Sequence, residues 1–233
     1  DKETVAAILD GDALGRRIFV RATGRGNRFA FSRQRMDALL PLRPPAFRDG
    51  YEYARVERRG HLLVVTINRP EVRNSLHPMA SEELAGIWDA YEADPDLWVA
   101  ILTGAGTEAF SSGNDLKYTA SGKPMWMPDS GFGGLTSRTR TKPVIAAVNG
   151  YAMGGGTEMA LACDIVVADE VARFGFTEVR IGFVPAVVMR LVIERVGMGN
   201  ARELLLRGNV IDADTAQQMG MINYVVGEEE LDE

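Results

Sequence analysis

The chain has 233 residues, 46% of them hydrophobic and 25% charged, with a formal net charge of −6. That length holds one large domain or two small ones, and the composition is that of an ordinary globular protein. The acidic balance excludes nonspecific nucleic-acid binding as the main role, because phosphate neutralisation needs a basic face, and the single cysteine, Cys163, excludes an intrachain disulfide.

Residues 1–48 differ from the rest. Seven arginines and no acid lie between Ala13 and Met36, and Arg43-Pro44-Pro45 reads as a break. An organellar transit peptide, a flexible or partly ordered extension and gene-boundary material all fit this composition. The low apolar content predicts an arginine-rich extension that is poorly ordered, ahead of a second domain over 49–233.

A regular pattern starts at Tyr51. Leu62 to Ile67 is a β-branched run closed by Asn68-Arg69-Pro70, and reads as a buried strand. Residues 78–92 carry Met79, Leu84, Ile87, Trp88 and Tyr91 at helical spacing, ending at Asp94-Pro95. Trp98 to Thr103 is a second strand. Residues 118–141 are rich in Gly, Ser and Pro around Met125-Trp126-Met127, a candidate lid or pocket wall. Val144 to Val148 is a third strand, Glu158 to Ala162 a helix, Ile165 to Ala168 a fourth strand and Arg173 to Gly175 a short fifth. Residues 186–206 read as helical with a break at Gly197-Met198-Gly199. A last helix over Ala213 to Met219 precedes an apolar segment from Ile222 to Val226. Strands and helices in short alternation predict an α/β protein with mostly parallel sheets flanked by helices.

Two histidines, His61 and His77, are too few for a multi-His metal site, so no metal is expected and any chemistry falls to carboxylates and backbone. His77 reads as a surface or capping residue before Pro78, and Cys163 as a small buried hydrophobe. No apolar run reaches the ~18 residues of a membrane span, so neither a membrane partner nor a nucleic acid is expected and a cytoplasmic location is.

Two glycine turns and two glutamates carry the candidate chemistry. Gly154-Gly155-Gly156 joins a predicted buried strand to a helix. A helix N-terminus offers unpaired N–H groups and a partial positive charge, suited to an oxyanion; close packing of helix on strand is the alternative. No Gly-Lys-Ser/Thr follows, which disfavours a P-loop. The turn in FSSGNDLK, residues 110–117, offers a second N–H at Asn114. Asp115 reads as an N-cap or as a nucleophile. Glu158 stands in the first turn of the helix opened by the glycines, where it also complements the dipole. Glu178 follows a strand and reads alternatively as a surface loop residue. Beside an oxyanion hole, the two carboxyls are suited to proton transfer.

These segments, FSSGNDLK, KPVIAAVNGYAMGGGTEMALACDIVVA, ARFGFTEVRIGFVP, ARELLLRGNVIDADTAQQMGMINYVV and the earlier INRPEVRNSLHP, resemble the crotonase (enoyl-CoA hydratase/isomerase) superfamily from about Tyr51 to Val226. GFGGLTSR, residues 131–138, is similar to the carnitinyl-CoA dehydratase-like branch. The resemblance implies a ββα spiral and a coenzyme A thioester substrate, with no cofactor besides. It places the oxyanion hole on the backbone N–H groups of Asn114 and Gly155, and the two hydratase glutamates on Glu158, activating water for attack at Cβ, and Glu178, serving the proton at Cα. It places CoA-binding segments at Arg73, Ser75, Ser112, Asp115, Leu116 and Lys117. The implied activity is reversible hydration of a 2-enoyl-CoA thioester, a hydro-lyase reaction of fatty acid metabolism, by a homotrimer or hexamer. An isomerase on the same site, or a catalytically silent relative, are the alternatives. Many members carry a glycine-rich turn after the proline matching Pro185, where this chain has Ala186-Val187-Val188-Met189, and the family continues past the point matching Glu233 with helices that complete the acyl pocket.

Overall fold

The structure is a computed structural model and describes residues 5–8, 19–22, 46–183 and 189–231. Contacts divide the chain into two compact units, Asp1–Pro44 and Pro45–Glu233. In the first, strands β1 (Val5–Ile8) and β2 (Phe19–Ala22) pair antiparallel, Val5 facing Ala22. Whether the remaining arginine-rich stretch is ordered lies outside the described residues, as does the conformation of 184–188, which includes Pro185 to Val188.

The second unit begins with a hairpin of β3 (Ala54–Arg59) and β4 (Leu62–Ile67), turned by Gly60-His61 with Arg59 opposite Leu62. Helix α1 (Pro78–Ala93) follows, then β5 (Val99–Gly104), β6 (Ala109–Ser111) and the short α2 (Leu116–Ala120). A 3₁₀ turn at Phe132–Gly134 interrupts the glycine-rich loop. Next come β7 (Val144–Val148), β8 (Tyr151–Met153), α3 (Gly155–Ala162), β9 (Ile165–Asp169) and β10 (Arg173–Gly175). The chain continues through a 3₁₀ turn at Thr177–Ile181, α4 (Met189–Arg207), β11 (Val210–Asp212), α5 (Ala213–Gln218), β12 (Tyr224–Val226) and α6 (Glu228–Leu231).

Two sheets take these strands in turn. The six-stranded sheet runs β12-β9-β7-β5-β4-β3 and the four-stranded one β11-β10-β8-β6. All pairings are parallel except β3 with β4 and β10 with β11. Each passage lays one strand in the large sheet and the next in the small one: β5 then β6, β7 then β8, β9 then β10. This is the expected α/β spiral.

The predicted strands at 62–67 and 144–148 form with those limits, and that at 98–103 moves by one residue to Val99–Gly104. The helix at 158–162 starts earlier, at Gly155, and the long helix is broken at Gly197 (φ 74°). β3 is added to the reading: ARVERR is an edge strand whose charged side chains face water, so it shows no apolar run. The core is built as the periodicity requires. Leu84, Ile87, Trp88 and Tyr91 are buried on one face of α1, each worth about 1.5–3 kcal/mol of burial. Cys163 is buried, and its thiol is pushed up to about 12 by burial. His77 is buried rather than on the surface; it caps α1, its Nδ1 accepting from the Ala80 N–H at 3.1 Å.

The order of the small sheet places the site. β6, β8 and β10 are parallel neighbours with β8 in the centre, so their carboxyl ends share one edge. Ser112-Gly113-Asn114 leaves β6 there, Gly154-Gly155 leaves β8, and Phe176 to Glu178 leaves β10. Carboxyl ends of parallel strands are where open α/β sheets hold ligands.

Candidate active site

Three glycines follow β8, and each lacks a side chain for a different reason. Gly154 has φ +50°, a left-handed conformation, and a Cβ there would stand 2.6 Å from Glu178 Oε1. A Cβ on Gly155 would stand 2.6 Å from the Phe132 ring, and one on Gly156 would collide with the Ser111 carbonyl. Close packing therefore accounts for the run, and the space beside Gly155 belongs to Phe132 rather than to an open approach. The N–H groups are a separate matter. Gly155 is the first residue of α3, and among the described residues its N–H and that of Asn114 have no hydrogen-bond acceptor.

Gly113 lies against Gly155: a Cβ on Gly113 would stand 2.8 Å from the Gly155 nitrogen and 2.6 Å from the Met153 carbonyl oxygen. The Asn114 peptide is thus carried next to the start of α3. It is held there by the 69–76 segment, which the Leu76 N–H joins to the Gly113 carbonyl at 2.8 Å while the Asp115 N–H bonds the Leu76 carbonyl at 3.0 Å. Asn74, fully buried with φ 54°, ties the segment down: its Nδ2 donates to the carbonyls of Ala105 (2.9 Å) and Ala109 (2.7 Å), and its Oδ1 accepts from the Arg69 N–H (2.9 Å). Nothing in the sequence reading singled out Asn74, although a buried Asn in a left-handed turn after a strand is a recognisable use of that residue.

Glu158 is buried, 8% exposed, on the inner face of α3. Burial, reinforced by the charge of Glu178, pushes its carboxyl up to about 7. Glu178 sits in the 3₁₀ turn after β10, and burial raises its carboxyl too. Its Oε2 is, among the described residues, the one buried side-chain oxygen or nitrogen with no hydrogen-bond partner. The turn is pinned to the helix that bears Glu158, since the Gly154 N–H donates to the Gly175 carbonyl at 2.8 Å and Thr157 Oγ1 to the same carbonyl at 3.3 Å. Among the described residues neither glutamate has a cationic partner within 4 Å.

The remaining candidates divide by exposure. Asp115 caps α2, accepting from the Tyr118 N–H at 3.0 Å, and pairs with Arg69 at 3.1 Å. Burial alone would raise its carboxyl, but those two donors hold it below the ordinary range. It is engaged as the N-cap rather than free as a nucleophile. Ser75 is buried and its carbonyl accepts from Arg69. The Ser112 N–H bonds the Arg73 carbonyl at 2.9 Å. Arg73 is exposed and paired with Glu108, and Leu116 and Lys117 are exposed on the first turn of α2. A cleft of about 650 Å³ on the large sheet, lined by Thr66, Thr103, Asn149 and Asp169 among others, contains none of these residues and no unpartnered buried side-chain atom. Among the described residues no group of three or more His, Cys, Asp or Glu is placed to hold a metal ion, and no helix is long and apolar enough to cross a membrane.

Comparison with known proteins adds the lineage. The family model for enoyl-CoA hydratase/isomerase matches residues 57–233. A mevalonyl-coenzyme A hydratase of Beauveria bassiana is 44% identical over 182 residues, 72% of this chain and 64% of that protein. An (E)-benzylidenesuccinyl-CoA hydratase of Thauera aromatica is 38% identical over 184 residues, 73% of this chain and 68% of its own length. The chain thus spans about two thirds of the length of these curated relatives. Among solved structures, a carnitinyl-CoA dehydratase from Mycobacterium avium superposes with a TM-score of 0.73 at 41% identity, covering 78% of this chain and 72% of that one. With a family model over most of the chain, relatives near 40% identity and the same fold, the chain belongs to the enoyl-CoA hydratase/isomerase family, the crotonases.

Proposed function

We propose that the protein adds water reversibly to the double bond of a 2-enoyl-CoA thioester. The observation that carries this reading is the pair of carboxyls raised by burial, Glu158 to about 7 and the half-buried Glu178 with an unpartnered, buried Oε2, beside two backbone N–H groups without an acceptor among the described residues. The N–H groups of Asn114 and Gly155 hold the thioester oxygen as it gains enolate charge, and removal of one such donor typically costs about 100-fold or more in rate. Glu158, ionised, takes a proton from the water that attacks Cβ. Glu178, protonated, delivers a proton to Cα. One water is added in all, and the two glutamates exchange protonation states; burial raises both carboxyls, which favours proton exchange nearer to neutral pH than ordinary glutamates allow. Dehydration is the reverse. The reaction so drawn uses no cofactor beyond the coenzyme A carried by the substrate.

Of the expected CoA contacts, Arg73 and Lys117 are exposed cations suited to phosphate, and Leu116 is an exposed apolar contact. Asp115 and Ser75 act at one remove, holding the segment through Arg69. An isomerase shuttles one proton and needs one carboxyl, so two carboxyls close enough for the charge of one to act on the other favour hydration. The test is loss of the conjugated ultraviolet band of crotonyl-CoA with wild type, Glu158→Gln and Glu178→Gln. Loss with wild type and with neither variant supports the reading. A wild type that shifts a 3-enoyl thioester into conjugation and adds no water overturns it.

A further inference from the structure

The GFGG segment at residues 131–134 is held more firmly than a loop requires. The Trp88 indole N–H donates to the Gly133 carbonyl at 3.1 Å in the core, and the Phe132 N–H donates to Thr136 Oγ1 at 2.8 Å. Arg138 clamps it from outside, donating to the Gly134 carbonyl at 2.7 Å and the Ala85 carbonyl at 3.0 Å while pairing with Asp89 at 2.6 Å. Gly133 faces Met159 on α3, and Gly134 faces the backbone of Ala85 on α1, with no room for a Cβ at either. The turn is a plug seated between two helices, and it presents one large apolar side chain, Phe132.

That side chain is half-buried, and its ring edge lies against the Cα of Gly155: the Cε1, Cζ and Cδ1 atoms fall 2.6, 2.8 and 2.9 Å from where a Cβ would be. It therefore stands beside the unpartnered Gly155 N–H. A thioester oxygen bound to that N–H puts its carbonyl carbon one bond away, and Cα is the next atom out. The backbone that carries the ring is fixed on both sides by the bonds above, so the ring has only its own side-chain torsions by which to move.

We infer that Phe132 determines specificity at the substrate's α-carbon, admitting acyl-CoA thioesters unbranched at Cα and rejecting those that carry an alkyl group there. This rests on the acyl-CoA reading of the site and narrows its substrate class. One misplaced methyl in a fitted apolar pocket is worth about 10- to 200-fold in discrimination.

The experiment uses two unreactive saturated thioesters, butyryl-CoA and 2-methylbutyryl-CoA, titrated calorimetrically into the full chain as wild type, Phe132→Ala and Phe132→Leu. Wild type is expected to bind butyryl-CoA at least about 10-fold more tightly than the branched thioester. The ratio should fall below about 3-fold in Phe132→Ala and lie between in Phe132→Leu; should the alanine variant not fold, the leucine variant decides by the same ratio. Binding retained with the ratio unmoved, or no discrimination by wild type, overturns the assignment and leaves the acyl-CoA reading standing. No binding of either thioester by wild type overturns both.

Discussion

The Gly154 N–H donates to the Gly175 carbonyl at 2.8 Å. That one bond joins the end of β8 to the end of β10, and so joins the helix that carries Glu158 to the turn that carries Glu178. The two carboxyls are twenty residues apart in sequence, yet Glu158 feels the charge of Glu178. The proton chemistry proposed for the pair depends on this joint.

Glu158 should make stability depend on pH. Its carboxyl stands at about 7 in the fold against an ordinary 4.5. Below 4.5 it is neutral in both states and costs nothing. Between 4.5 and 7 the unfolded chain loses its proton first, so stability falls as pH rises, by about 3 kcal/mol in all. Glu158→Gln should therefore be more stable than wild type at pH 8 by on the order of 2–3 kcal/mol and no more stable at pH 4, read from urea midpoints at both values.

The same value shapes activity. In the proposed reaction Glu158 works ionised, so kcat/KM for hydration should rise through about pH 7. Glu178, whose carboxyl burial also raises, has to keep its proton in that reaction, so loss of that proton sets a second, falling limb. The limbs belong to the pair rather than to either residue. A pH–rate profile on crotonyl-CoA checks this, and a rising limb near the ordinary glutamate range would rule out the assigned roles.

Gly154→Ala meets two obstacles, a φ of +50° and Glu178 Oε1 at 2.6 Å from the new Cβ. The backbone strain alone costs about 1–2 kcal/mol. Moving Glu178 should lower kcat more than it raises KM, because in the proposed reaction the carboxyl is used in the reaction step rather than in holding CoA. Steady-state kinetics beside a thermal melt separate the two effects.

Gly155 and Phe132 should be coupled. Gly155→Ala in wild type drives a methyl into the Phe132 ring and should cost about 1–3 kcal/mol. In a Phe132→Ala background the methyl has room, and the cost should shrink by about 1 kcal/mol or more. A double-mutant cycle on unfolding free energies measures the difference, and additivity would show that the ring is not held against the helix.

Asn74 should matter more than its neutral side chain suggests. Asn74→Ala removes bonds to Arg69, Ala105 and Ala109 and puts alanine at φ 54°. The expected loss is about 3 kcal/mol or more. Asn74→Gly keeps the left-handed backbone and should cost about 1 kcal/mol less. Denaturant titration of the two variants gives the comparison.

The sequence by itself determined the α/β class, the strands at 62–67 and 144–148, the helical face of Leu84, Ile87, Trp88 and Tyr91, and the family, because apolar periodicity and long contiguous motifs are local properties of the chain. It singled out both glycine turns and both glutamates for the same reason. It could not supply β3, whose charged edge faces water, nor the role of Asn74, whose partners lie 31 and 35 residues away. It left the glycine run open between an oxyanion site and close packing of helix on strand, whereas the structure fills the space beside the three glycines with Glu178, Phe132 and Ser111 and gives the Gly155 N–H no acceptor among the described residues. Only the tertiary structure decided these points. The parallel order β10-β8-β6 gathers three chain segments at one sheet edge, and side-by-side strand ends are fixed by long-range hydrogen bonding and packing rather than by any local pattern of residues.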